Sequence, residues 1–142
     1  MAKTIEVSVD AFDKMRDTHQ FCLHWQAHGL HYGLPVDIPN RISMGQTVIV
    51  NGSRSVLETA RSQFGQLHIA HIVASEESLR KRLTERGREN AEDIEHRIKR
   101  STDFQLSGAD VTVINNSGSL DLAIDQLIKL SLSPSRYTAL RA

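Results

Sequence analysis

Apolar residues in this chain fall into two kinds of pattern. Three short continuous runs, at 47–51 (TVIVN), 67–74 (LHIAHIVA) and 111–115 (VTVIN), are rich in Val and Ile. The segments between them carry apolar residues at helical spacing. Buried strands alternating with helices predict a parallel sheet with crossover helices.

Ser8 is placed to cap a short helix, VDAFDKMRD, with Ala11, Phe12 and Met15 on one face. A second helix is expected near 40–44, after Pro35 and Pro39. Residues 53–64 have Val56, Leu57 and Ala60 at helical spacing and end before Gly65. Ser75 caps the next helix, whose first turn holds Glu76 and Glu77 where the helix dipole favours acids, and Gly87 stops it. Another begins at Asn90, with Asp93 imitating a capping box. The last is capped by Ser119, is expected to bury Leu120, Ile124, Leu127 and Ile128, and stops at Pro134. The remainder, 133–142, reads as a loose tail.

Residues 21–35 (FCLHWQAHGLHYGLP) behave differently. His24, His28 and His31 would share a helical face, but Gly29 and Gly33 disfavour a continuous helix, and no metal site is expected. As a strand, Leu23, Trp25 and Ala27 share one face, and His24, Gln26 and His28 the other. This predicts a half-buried ribbon whose polar face lines a cleft, or simply an amphipathic hairpin.

At 142 residues the chain is one domain with room for a substantial core. Basic and acidic residues balance at 17 each, which gives no electrostatic ground for a nucleic-acid partner. Arginine and lysine nevertheless cluster within 80–100. The single Cys22 cannot form an internal disulfide, which fits a reducing, cytoplasmic setting. Neither a signal-peptide pattern nor an apolar run long enough for a membrane helix is visible.

Three segments carry candidate chemistry. Residues 48–54 (VIVNGSR) form a strand entering a glycine turn and a helix. Strand ends of this kind meet ligands in parallel sheets, so Asn51 and Ser53 are placed toward a substrate, unless they only cap the helix. Residues 79–100 (LRKRLTERGRENAEDIEHRIKR) form a charged helical hairpin. Asn115 and Asn116 follow the last strand.

Taken with the 21–35 block, these segments resemble the substrate lobe and lid of guanylate-kinase-like phosphotransferases. Gly29-Leu30-His31-Tyr32-Gly33-Leu34 is similar to the family's G-N-Y-Y-G-[ST], and Tyr32 matches its phosphate-binding tyrosine. Arg82-Leu83-Thr84-Glu85-Arg86-Gly87-Arg88 and Glu92–Ile98 resemble R-L-x-x-R-G-[TR]…E-[ED]-[IV]-x-x-R-[LI]. Asn51 stands in for an acidic residue of the family's D-x-D-x-Q-G, and the glutamate that reads guanine has no placed counterpart. The pattern L-H-W-Q-A-H-G-L-x-Y-G-[IL]-P resembles instead the ribose 1,5-bisphosphate phosphokinases of phosphonate breakdown, whose substrate has no base.

The resemblance implies an α/β fold, a parallel-sheet P-loop kinase core with a substrate lobe (5–46), core segments (47–79 and 101–132), a lid (80–100) and the tail (133–142). It implies ATP with Mg²⁺ as cofactors and a sugar phosphate as the small-molecule partner. Tyr32, Asn51 and Arg54 would hold substrate phosphates. Arg86 and Arg97 would stabilise the moving phosphoryl group, whose transition state carries spread negative charge. Asn115 would approach adenine. No G-x-x-x-x-G-K-[ST] occurs in the 142 residues. The first strand and phosphate loop are therefore expected to be missing, the chain alone to be inactive, and the sheet to show a gap or an improvised neighbour. Exposed strand edges would then permit self-association. The alternatives are a non-catalytic kinase-like remnant or binding module, and a guanylate or nucleoside monophosphate kinase.

Overall fold

The computed structural model describes residues 4–65, 67–102, 104, 106–132 and 137–141. The elements run α1 (Val9–Asp17), β1 (Phe21–Ala27), β2 (Leu30–Pro35), α2 (Ile38–Ser43), β3 (Ile49–Asn51), a 3₁₀ turn (Arg54–Val56) and α3 (Leu57–Gln63). They continue with β4 (Leu67–Val73), α4 (Glu76–Arg86), α5 (Ala91–Thr102), β5 (Val111–Asn115), α6 (Leu120–Ser131) and β6 (Tyr137–Arg141). The fold is α/β, with a four-stranded parallel sheet and a separate antiparallel hairpin.

Local chemistry sets most boundaries. The Ser8 hydroxyl accepts from the Ala11 N–H at 3.2 Å, and the Ser75 hydroxyl accepts from the Ser78 N–H at 3.2 Å. Asn90 Oδ1 accepts from the Asp93 N–H at 2.8 Å and starts α5. Gly87 ends α4 at φ 63°, a left-handed conformation that glycine adopts without strain. Ser119 flanks α6 without a side-chain capping bond.

The 21–35 block is the hairpin. His28 (φ 52°) and Gly29 (φ 75°) form its two-residue turn, and Trp25 lies opposite Tyr32. Leu23 and Trp25 face the core against Val56 and Ala60, as the alternation predicts. The opposite face meets α1 at one end. There Phe12 of α1 stacks on Phe21 at 4.8 Å and tilts against His31 at 5.3 Å, while His24 and His28 are exposed. Among the described residues no cluster of side chains is arranged to hold a metal ion.

Sheet order is β3-β6-β4-β5. This corrects the expectation for 133–142, since Tyr137–Arg141 is a strand and not a loose tail. β6 pairs in parallel with β3 on one side (Ile49 with Thr138) and with β4 on the other (Leu67 with Tyr137). It is the neighbour that fills the space between those two strands. Pro134, expected to stop α6, lies outside the described residues.

Ile69 and Ala70 of β4 are fully buried, and Ile114 of β5 nearly so. Ala70, Ile114 and Ala123 form one cluster with Leu127 and Leu130 against it. The face of α6 is therefore a second correction. It docks through Ala123, Leu127 and Leu130, while Leu120, Ile124 and Ile128 are exposed. The small Ala123 lets the helix backbone approach the sheet, and the bulkier stripe turns outward. The α4–α5 hairpin has its own cluster of Leu83, Ile94 and Ile98. It spans Glu76–Thr102, slightly more than the predicted lid.

Candidate functional site

The turn after β3 sits between the hairpin and the charged helices and touches both. Ser55 Oγ donates to the Gln26 carbonyl at 3.4 Å, which ties the turn to β1 beside its Trp25–Tyr32 pair. Arg54 Nη1 donates to the Arg100 carbonyl at 2.9 Å, which ties it to α5. Ser53 Oγ lies 2.6 Å from Ser55 Oγ and makes no capping bond, so helix capping does not account for its hydroxyl.

Tyr32 is half-buried and stacks on Trp25 with ring centroids 5.3 Å apart and planes 11° from parallel. Trp25 in turn lines an apolar cavity with Leu23, Leu34, Gly52, Val56 and Phe64. Tyr32 thus shares the core-facing side of the hairpin, next to the turn that follows Asn51. Asn51 itself is exposed at the end of β3.

Arg54 has an unusual setting. Its guanidinium carbon lies 3.9 Å from the centroid of the Phe104 ring, and its Nε is buried without a hydrogen-bond partner. Burial, with Arg100 close by, lowers its pKa from the ordinary value. The Phe104 ring also meets His71 of β4 edge-on at 5.8 Å.

The lid arginines divide. Arg86, in the last turn of α4, is exposed and makes no ion pair among the described residues. Arg97 is held by Glu89 through its Nη1. Arg80 forms a two-bond pair with Glu95 at 2.8 and 2.9 Å, and this pair staples α4 to α5. Arg82 Nη1 donates to the Asn116 carbonyl at 2.7 Å and so fastens α4 to the turn after β5.

In that turn Asn115 Oδ1 accepts from the Ser117 N–H at 2.8 Å, which spends the side-chain carbonyl on local structure. Its neighbour Asn116 carries a buried Oδ1 with no partner. Sequence reading named Asn116 only beside Asn115, which it chose, and did not single out Arg100 or Phe104. For Asn116 the signal was the adjacent-asparagine ambiguity itself, whereas the Arg54–Phe104 contact joins residues too far apart in sequence to be read.

No family model matches the chain. Individual proteins do. The chain is 38% identical over 133 residues to the ribose 1,5-bisphosphate phosphokinase PhnN of Agrobacterium fabrum, a match covering 92% of this chain and 73% of that protein. The chain belongs to this phosphokinase family. The PhnN of Azotobacter vinelandii is 37% identical over 124 residues, covering 87% of this chain and 68% of its relative. That of Brucella melitensis is 44% identical over 99 residues, and there the match spans only 52% of the relative's length. Family membership makes the guanylate-kinase-like core, with its parallel sheet, the expected fold for these residues, and the reading as a guanylate kinase or a non-catalytic remnant is not favoured.

Proposed function

We propose that this chain carries the acceptor-binding lobe and lid of a phosphotransferase. The reaction moves the γ-phosphoryl of ATP onto the 1-phosphate of ribose 1,5-bisphosphate and yields 5-phosphoribosyl 1-diphosphate. The observation that carries this reading is the match across 92% of the chain to a protein named for that phosphokinase activity. The geometry supports it, because hairpin, β3 turn and charged lid converge near one end of the sheet.

In this scheme Tyr32, Asn51 and Arg54 hold phosphate groups of the sugar. Arg86 and Arg97 supply guanidinium donors to the moving phosphoryl group, where charge spreads over its oxygens. Arg97 must leave Glu89 to do so. Asn115 would approach adenine through its side-chain N–H₂, since its Oδ1 accepts from the Ser117 N–H. ATP would bring the transferable phosphoryl group and Mg²⁺ would neutralise its charge. The described residues present no cluster suited to the metal.

No described helix is long and apolar enough to cross a membrane. A cytoplasmic site of action follows from the substrates. The exposed edge of β5 and, separately, the exposed Leu120, Ile124 and Ile128 on α6 offer surfaces for self-association.

Calorimetric titration of the 142-residue chain tests the acceptor half directly. It should bind ribose 1,5-bisphosphate in preference to GMP. Tyr32→Phe should weaken the sugar bisphosphate by about 1 kcal/mol or more, the loss of a hydrogen bond to a charged group. Equal affinity for GMP, or an unaffected Tyr32→Phe variant, would overturn the assignment.

A further inference from the structure

The arginines of this protein differ in how their charge is met. Arg16, Arg41, Arg61, Arg80 and Arg97 each pair with a carboxylate. Arg54 and Arg100 pair with none among the described residues, yet they lie close enough for Arg100 to depress the Arg54 pKa. Two adjacent guanidinium groups without a counter-charge repel one another, and partial burial of one strengthens that repulsion. Such an arrangement is stabilised when an anion lies between them.

We propose that Arg54 and Arg100 together form the seat of one phosphate group of the sugar bisphosphate, with Phe104 as a positioning residue for Arg54. The proposal rests on the functional reading above and adds two residues to it.

Three observations shape the seat. The Arg54 guanidinium is fixed before any ligand arrives, with its carbon 3.9 Å from the Phe104 ring centroid and its Nη1 anchored to the Arg100 carbonyl at 2.9 Å. A ring under the guanidinium holds its plane while leaving the in-plane donors available. Its Nε is buried with no acceptor, although an arginine N–H normally finds one. That leaves Nη2 as the other Arg54 donor with no partner among the described residues, and a phosphate oxygen is an acceptor of the right charge for it. Among the described residues the Arg100 side chain, by contrast, makes only a long 3.3 Å bond from Nε to the His96 carbonyl, within its own helix. Its two terminal nitrogens are thus left to a ligand.

Position and chemistry agree. The pair stands just past the carboxyl end of β3, where parallel sheets place their ligands, with the Ser53 and Ser55 hydroxyls on the same turn. Arg100 belongs to α5, so one phosphate held by both side chains would join lid to core. A sugar bisphosphate has two such groups, and the seat takes one while Tyr32 serves the other part of the molecule.

The opposing view is that Arg54 merely tethers the turn to α5. Arg100→Ala separates the two, because the tether uses only the Arg100 carbonyl. Titrations of the full chain with ribose 1,5-bisphosphate, and separately with inorganic pyrophosphate, provide the readout. Arg100→Ala should leave the melting temperature within a degree or two and raise Kd for both probes about tenfold or more. Arg100→Lys should recover part of the loss. Phe104→Leu keeps both charges, so it should weaken binding without flattening the salt dependence, whereas Arg100→Ala should do both. Unchanged Kd in Arg100→Ala, or a Phe104→Leu loss explained wholly by unfolding, would overturn the proposal. If pyrophosphate loses affinity in Arg100→Ala but wild type shows no preference for the sugar bisphosphate over pyrophosphate, the seat stands and the substrate assignment fails.

Discussion

Asp110→Asn should destabilise this protein several times more than Glu58→Gln, although both remove a carboxylate from the same arginine. Arg61 on α3 donates to Asp110 through Nε at 2.8 Å and through Nη2 at 3.2 Å, and to the Ser107 carbonyl at 3.2 Å. Its Nη1 donates to Glu58 at 3.1 Å. The Arg61 and Asp110 side chains are 27% and 28% exposed, whereas Glu58 is 88% exposed and one turn away on the same helix. Hydrogen bonds to charged groups contribute about 1.5–3 kcal/mol each when sheltered. Partial exposure takes the forked Asp110 pair toward the lower figure, so about 2 kcal/mol is expected for Asp110→Asn. An exposed helical pair such as Glu58–Arg61 contributes about 0.3–0.5 kcal/mol. Urea unfolding followed by circular dichroism at neutral pH measures both.

The pH dependence provides an internal check. The Arg61 hydrogen bonds hold the Asp110 carboxyl below the usual carboxylate range. A depressed pKa contributes stability that is fully present above the unfolded value of about 3.9 and is lost as pH falls through the folded value. The gap between wild type and Asp110→Asn should therefore hold from neutrality to about pH 5, then close below about pH 4. Equal losses for the two variants, or a gap that widens in acid, would refute this account of how α3 is pinned to the entry of β5.

Other outcomes follow from single contacts. Gly33→Ala should loosen the hairpin against α1, since an added Cβ would come within 2.6 Å of the Phe21 ring; limited proteolysis of the lobe would show it. Ile128→Asp, at an exposed position of α6, should change stability by less than about 0.5 kcal/mol and shift any self-association seen by sedimentation toward monomer. In a catalytically competent form, Arg97→Ala should lower kcat far more than it raises KM, the mark of an interaction made mainly in the transition state. Near-normal kcat would return Arg97 to its structural pair with Glu89.

Much of the architecture is legible in the sequence because local rules and burial agree there. The strands of β4 and β5, the caps at Ser8, Ser75 and Asn90, and the turn at Gly87 are set by residues within a few positions of one another. The face of α6 was not legible. Leu120-Ile124-Ile128 and Ala123-Leu127-Leu130 are both apolar stripes, and the choice between them depends on how closely the backbone must approach β4 and β5. β6 was missed because five residues beyond a proline carry little pattern of their own; their partners at 49–51 and 67–71 decide the matter. At the proposed site, motif reading supplied Tyr32, Asn51 and Arg54 as candidates. It could not reach Arg100 or Phe104, which acquire meaning only when α5 folds over the β3 turn.

The place of β6 has a kinetic consequence. No ladder joins β3 directly to β4, so the two halves of the sheet communicate only through β6. Ile49 must find Thr138 and Leu67 must find Tyr137, pairings that close very long loops before they return any hydrogen bonds. The β4–β5 pair and the α4–α5 hairpin can form earlier, from nearer partners. Folding should thus show a fast phase that builds those units and a slower one that locks β3, with its Asn51–Arg54 turn, into register. That turn would be the last part of the sheet to gain protection in pulsed hydrogen exchange.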